Sequence, residues 1–275
     1  MADALIWVVA LPLAGAVATL LLPRAATAVV IASGLGTGAA AAALLYGVAT
    51  HGPLDYAIGG WSAGLGIALR ADALSALLVM MTALVALAAS VYSSAYFNKA
   101  RQRARFGPLW LLLWTALNAL LLSGDLFNLY VTLELLGLSA VALAALAGSA
   151  AAVRAALRYL LVGLLGSMLF LAGVSLIYAG YGTLDLAALA QVVEAGPAVW
   201  PALALMTAGL LLKTALFPLH FWLPPAHASA PAPVSAVLSA AFQPTRNSEP
   251  RWNLSAVDTA AQERCLELSC WRLWP

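Results

Sequence analysis

Two side chains carry charge where a membrane protein should carry none. Glu134 lies near the middle of DLFNLYVTLELLGLSAVALAAL, residues 125–146. Lys213 lies about thirteen residues into WPALALMTAGLLLKTALFPLHFWL, residues 200–223. A charge at the centre of a spanning helix costs roughly 2.5–3.5 kcal/mol on insertion scales. An acid on one helix and a base on another lower that cost by pairing. Such a pair can lock two helices together, or it can move protons. Burial lowers the pKa of a lysine and a nearby carboxylate raises it again. A change in their separation would then load or release a proton.

The neighbouring residues fit proton movement. Tyr130 precedes Glu134 by one helical turn. His220 follows Lys213 by two turns, about 20° off the same line on a continuous helix. Histidine titrates near neutral pH and can relay protons, so His220 is expected to join Glu134 and Lys213 in proton translocation, or else to be a hydrogen-bonded helix-end residue. Pro218, Pro224, Pro225, Pro231 and Pro233 crowd the stretch beyond Lys213, and each removes a backbone hydrogen bond. In lipid, freed carbonyls are tolerated only inside protein or facing water. A helix break is therefore expected after the seventh span, with His227 inside it, either as a polar loop residue or as part of a pathway.

These residues need a membrane scaffold, and composition supplies one. The chain is 64% hydrophobic and 9% charged, against about 25% charged for soluble domains. The expected architecture is an all-α, multi-pass membrane protein. Its seven full spans are Ala4–Leu22, Ala25–Thr50, Ala73–Tyr92, Phe106–Ser123, Leu126–Ala147, Tyr159–Tyr178 and Val199–Trp222, with a partial eighth from Pro233 to Phe242. These runs are about twice the ~10 residues of a barrel strand and do not alternate in polarity. The first span does not read as a cleaved signal, because Asp3 stands where a basic start belongs. Cys265 and Cys270 lack a second pair, so no metal or redox site is expected. The net charge of +2 argues against a nucleic-acid partner.

Orientation follows the basic loops. Lys99, Arg101, Arg103 and Arg105 place the link after the third span in the cytoplasm. Arg24, Arg154 and Arg158 then fall on the same side. Asp185 and Glu194 fall outside, in a link that reads as a short surface helix, and the N-terminus is outside too.

Three strings carry a resemblance. GDLFNLYVTLELLGLSAVALAAL resembles the fifth helix of the antiporter-like family. That family includes the D-type membrane component of Mrp-type cation/proton antiporters and the membrane-arm subunits of respiratory complex I and membrane-bound hydrogenases. LLKTALFPLHFWLPPAHASAPAPVSAVLSA resembles the family's lysine helix and the break after it. RADALSALLVMMTALVALAASVYS is similar to the third helix, and the D-type Mrp branch looks nearest.

The resemblance implies three leading helices in residues 1–98 and a proton-channel half in 106–242. Glu134 matches the family's helix-five glutamate and Lys213 its helix-seven lysine. Arg154 and Arg158 occupy the region where the family places basic side chains at the start of helix six. Arginine stays protonated, so Arg158 could bias a neighbour without relaying a proton. No cofactor is implied. The implied partners are other membrane subunits, the bilayer, H⁺ and, as the expected cation, Na⁺, in a bacterial inner membrane. The alternative is a proton-pumping arm of a complex I-like oxidoreductase or hydrogenase, whose redox chemistry sits in other chains. From Gln243 the pattern departs: residues 243–275 form an atypical polar tail with eight of the 24 charges, as if from a changed reading frame or a gene fragment. An inactive fragment is the third reading.

Overall fold

The computed structural model describes residues 3–60, 66–97, 100–193, 196, 199–216 and 218–235. Six helices are long and apolar enough to cross a membrane among them. They are α1 (Asp3–Leu21), α2 (Ala26–His51), α3 (Ala73–Tyr96), α4 (Ala100–Leu121), α5 (Leu126–Ala144) and α6 (Ala150–Tyr181). Short 3₁₀ turns at Pro23–Ala25 and Ala145–Ala147 extend α2 and α5. Three shorter helices follow α6: α7 (Leu186–Val192), α8 (Val199–Lys213) and α9 (Leu223–Ser229). The 15 residues of α8 give about 22 Å at 1.5 Å per residue. That is less than the ~30 Å hydrocarbon core.

Polar caps start several helices. Asp72 and Ser75 form a reciprocal capping box at α3, each side chain accepting from the other's backbone N–H at 2.8 Å. Asp125, Ser149 and Asp185 cap α5, α6 and α7. Each carries an orphan N–H of the first turn. Ser149 explains why α6 begins nine residues before the expected Tyr159. The cap sets the start, and arginine is a good helix former, so Arg154 and Arg158 ride on the exposed face of the helix's first turns, opposite buried Ala152, Ala155 and Ala156. Likewise α4 begins at Ala100 rather than Phe106.

The largest departure from expectation is at the seventh span. The α-helix stops at Lys213, not at Trp222. Ala215 takes a left-handed φ of 52°, and the chain resumes as a 3₁₀ turn at Leu219–Trp222. Pro218 accounts for the position of the break: it has no N–H for the carbonyl four residues back, and its ring clashes there. A second departure is a small antiparallel hairpin, β1 (Leu54–Ala57) with β2 (Ala68–Ala71), in a fold otherwise helical. Lys99, Glu194 and residues 236–275, which include most of the partial eighth span and the whole tail, lie outside the described residues.

Main-chain bonds stitch three links together at one end of the bundle. The N–H of Gly124 donates to Ala68 at 2.9 Å and its carbonyl accepts from Leu186 at 3.0 Å. Arg70 donates to Leu122 and Leu126 to Leu184. The hairpin, the α4–α5 turn and the α6–α7 link therefore share one network. A Cβ on Gly124 would lie 3.0 Å from the Ala68 oxygen, so glycine permits the approach. In the leading half, Trp110 Nε1 donates to Ser90 Oγ and Asn118 Nδ2 to the Val8 carbonyl, both at 2.8 Å and buried. These tie α4 to α3 and α1.

Candidate functional site: a buried ion pair at a broken helix

The close packing of α6 against α8 creates the site. Gly166 and Gly209 face each other with so little space that a Cβ on Gly166 would lie 2.9 Å from the Gly209 carbonyl oxygen. A Cβ on Gly173 would lie 2.5 Å from a Met206 side-chain carbon. Small residues let helix backbones approach in this way. The same Gly166 clears a path for the lysine, because a Cβ there would sit 3.3 Å from Lys213 Cγ.

Lys213 thus crosses α6 to reach α5. Its Nζ stands 3.7 Å from Glu134 Oε2 and donates to the backbone carbonyl of Leu133 at 3.3 Å. Gly137, one turn after Leu133, lies against the ammonium: a Cβ there would be in ordinary contact with Nζ, 3.8 Å away. The two side chains are 11% and 21% exposed, lysine first. At 3.7 Å the pair attracts electrostatically but lies beyond the usual N–H···O range. Glu134 Oε2 accepts instead from the hydroxyl of Ser167 on α6.

Where Lys213 sits on its helix matters as much as what it touches. It is the last residue of α8, where the aligned peptide dipoles favour a cation. The final carbonyls need partners, and the break supplies them. Leu210 accepts from the Thr214 N–H at 2.8 Å. Leu211 accepts from the Thr214 hydroxyl at 3.3 Å, and Leu212 from the Trp222 indole at 3.2 Å. Trp222 is 1% exposed and stacks on Tyr159 of α6, ring centroids 4.4 Å apart.

Glu134, Lys213, Thr214, Tyr159 and Trp222 all line one cavity of about 140 Å³, walled otherwise mainly by apolar side chains of α3, α4, α5 and α6. Trp114 also lines it, and its buried Nε1 has no hydrogen-bond partner among the described residues.

The other expected site residues are distributed differently. Tyr130 is half-buried beside Phe127, in the cluster that α5 makes with α6, α7 and α8. His220 is exposed on the 3₁₀ turn. Its expected alignment with Lys213 fails because the helix carrying that register ends at Lys213. Arg158 and Pro218 are exposed. His227, in α9, has Nδ1 3.1 Å from Ser235 Oγ and a buried Nε2 with no hydrogen-bond partner among the described residues. The structure therefore brings Glu134 and Lys213 together, and leaves Tyr130, Arg158, Pro218, His220 and His227 outside the cavity lining. Ser167, Gly137, Gly166 and Trp222 join the site without having been singled out from sequence. Only the glycine spacing carried a signal, as small residues at helix crossings.

Comparison with known proteins shows what the chain is similar to. Residues 123–245, from the cap of α5 through the break, match the family model described as NADH:quinone oxidoreductase/Mrp antiporter, TM. The N-type subunit of NADH-quinone oxidoreductase from Desulforudis audaxviator is 40% identical over 245 residues, covering 86% of this chain and 49% of its own. The D-type component of a Na⁺/H⁺ antiporter from Bacillus subtilis is 36% identical over 202 residues, covering 72% of this chain and 41% of its own. Among solved structures, an archaeal membrane-bound sulfane sulfur reductase matches with a TM-score of 0.87 and 29% identity, over 98% of this chain and 54% of that one. The chain spans about half the length of these relatives or less. With its acid and base meeting across three helices and these relatives on either side, the chain belongs to the antiporter-like family of membrane subunits shared by Mrp antiporters and NADH:quinone oxidoreductases.

Proposed function

We propose that this chain is a proton-translocating membrane subunit of a multi-subunit cation/proton antiporter, with Glu134 and Lys213 as the switching pair. One observation carries the reading: an ammonium and a carboxylate stand 3.7 Å apart, buried, at the end of a broken helix. Lys213 divides its contacts between Glu134 and a backbone carbonyl, so a small displacement changes which one holds it. That displacement changes the stability of its charged form, which is how a moving charge moves a proton. Intramembrane ionisable groups commonly mark such pathways.

Na⁺ is the proposed counter-ion, as in the name of the Bacillus subtilis relative. Seven crossings, counting α8 with its continuation past the break, an N-terminus outside and a bacterial inner membrane complete the reading. Tyr130, His220, His227, Arg158 and Pro218 belong to it as supporting residues around the break and the helix ends.

A second reading is a proton-pumping arm of a redox complex. The oxidoreductase relative and the reductase structure favour it. The test uses membrane vesicles holding the assembled complex and a pH-sensitive dye. Exchange driven by a Na⁺ gradient, with no electron donor, supports the antiporter. Proton movement only on adding a reductant supports the redox arm. In either case Glu134→Gln and Lys213→Ala should reduce proton movement to the leak while assembly survives. Normal transport in both variants reduces the pair to a structural salt bridge.

A further inference from the structure

From the shared oxygen at the ion pair we infer that Ser167 is a positioning residue, which competes with Lys213 for Glu134 Oε2 and keeps the pair from closing. This rests on the pair being the proton switch proposed above.

Hydroxyls in the membrane helices of this chain usually turn inward on their own helix. Thr19, Thr37, Ser90, Thr115, Thr132 and Ser175 each donate to a carbonyl three or four residues back. That is the ordinary resting place of a helical serine or threonine. Ser167 departs from it. It is 0% exposed, and its one proton goes across the helix boundary to Glu134 Oε2. Lys213 Nζ faces that same oxygen from 3.7 Å and takes the Leu133 carbonyl at 3.3 Å.

Two consequences follow for the switch. With the hydroxyl in place, the carboxylate is not left without a donor when Lys213 moves off, and an uncompensated buried charge is what makes opening such a pair costly. Lys213 in turn is held by two weak contacts rather than one strong one. Removing the hydroxyl should let Nζ close on Oε2 and lock there.

The test compares Ser167→Ala and Ser167→Thr in the assembled complex. A hydrogen bond to a charged group is worth enough to change a rate by roughly tenfold or more. Ser167→Ala should therefore slow proton movement by about tenfold, and Ser167→Cys, a nearly isosteric weak donor, should fall between it and the wild type. Ser167→Thr, which keeps the hydroxyl, should retain most of the rate. The second readout does not depend on transport. The antisymmetric carboxylate stretch of Glu134, isolated by infrared difference against Glu134→Gln, should shift in Ser167→Ala and return in Ser167→Thr. An unmoved band, or wild-type transport in Ser167→Ala, overturns the inference. If instead Glu134→Gln transports normally while the band still shifts, the proton-switch reading fails and the Ser167–Glu134 contact stands as a structural one.

Discussion

The indole of Trp222 donates to the carbonyl of Leu212 at 3.2 Å, across a break in the helix that separates them by ten residues. The bond gives a partner to a carbonyl that the broken helix leaves without an intrahelical one, and so helps hold Lys213 at the helix end. Trp222→Phe keeps a ring to stack on Tyr159 but loses the donor. It should lower stability by about 1 kcal/mol and slow transport, read as a lower melting temperature in detergent and a reduced dye response in vesicles. An unchanged melting temperature would mean that the carbonyl finds another partner.

Shortening the acid should grade the effect. Glu134→Asp preserves the charge but withdraws it by about one carbon–carbon bond, away from both Ser167 and Lys213. Transport should fall to a level between the wild type and Glu134→Gln. A rate as low as that of Glu134→Gln would show that position, rather than charge, is the stricter requirement.

The glycines separate close approach from simple helix content. Gly209→Ala would place a Cβ against the Gly166 carbonyl, backbone that cannot step aside. Overpacking of this kind typically costs about 1–3 kcal/mol, so this variant should melt earlier and assemble poorly. Gly163→Ala, on α6 with no atom of the described residues within 4 Å of the new Cβ, should be neutral or stabilising. Equal behaviour of the two variants would remove the packing argument for the α6–α8 crossing.

Topology is open to direct measurement. With Cys265 and Cys270 first changed to serine, a cysteine placed at Gln102 should react only from the cytoplasmic side, and one at Gln191 only from outside. The reverse pattern would invert the orientation.

Asp125 should give stability a pH dependence. It is 8% exposed, just before the first residue of α5. Burial pushes its carboxyl above the ordinary 3.8, with Asp185 adding a smaller push, while backbone N–H groups of Asn128, Ala68 and Phe127 pull the other way. A group whose folded pKa is raised favours folding most below its unfolded pKa, and that contribution fades as pH rises through the folded value. Asp125→Asn cannot ionise, so its melting temperature should gain on the wild type as pH climbs from about 4 toward neutrality. A constant difference across that window would show that Asp125 is not perturbed.

Membrane class, six long apolar helices and the meeting of Glu134 with Lys213 were legible in the residues themselves, because long apolar runs and isolated charges are strong signals. The end of α8 was not. The apolar pattern continues with little interruption from Leu210 to Trp222, and the decisive residue, Pro218, acts four positions before itself. Carrying the span through Pro218 to Trp222 put the break too late and gave His220 a helical register it does not have. Ser167 was hidden for a different reason: a serine in an apolar helix ordinarily bonds its own backbone, and only the tertiary crossing shows that this one does not. The hairpin was missed because four-residue strands carry too few alternations to register against helical neighbours.

Gly124 makes the bundle mechanically lopsided. Its two main-chain bonds rivet the hairpin and the α6–α7 link to the start of α5, so that end behaves as a clamped plate. Glu134 lies nine residues beyond Asp125 at the clamp, about 13.5 Å along α5 at 1.5 Å per residue. For a rod held at one end, lateral displacement grows with distance from the grip. The restraint these bonds place on α5 is therefore strongest at the stitched links and weaker where the carboxylate, the serine hydroxyl and the lysine meet. The loops act as a fulcrum, and the ion pair sits out along the arm.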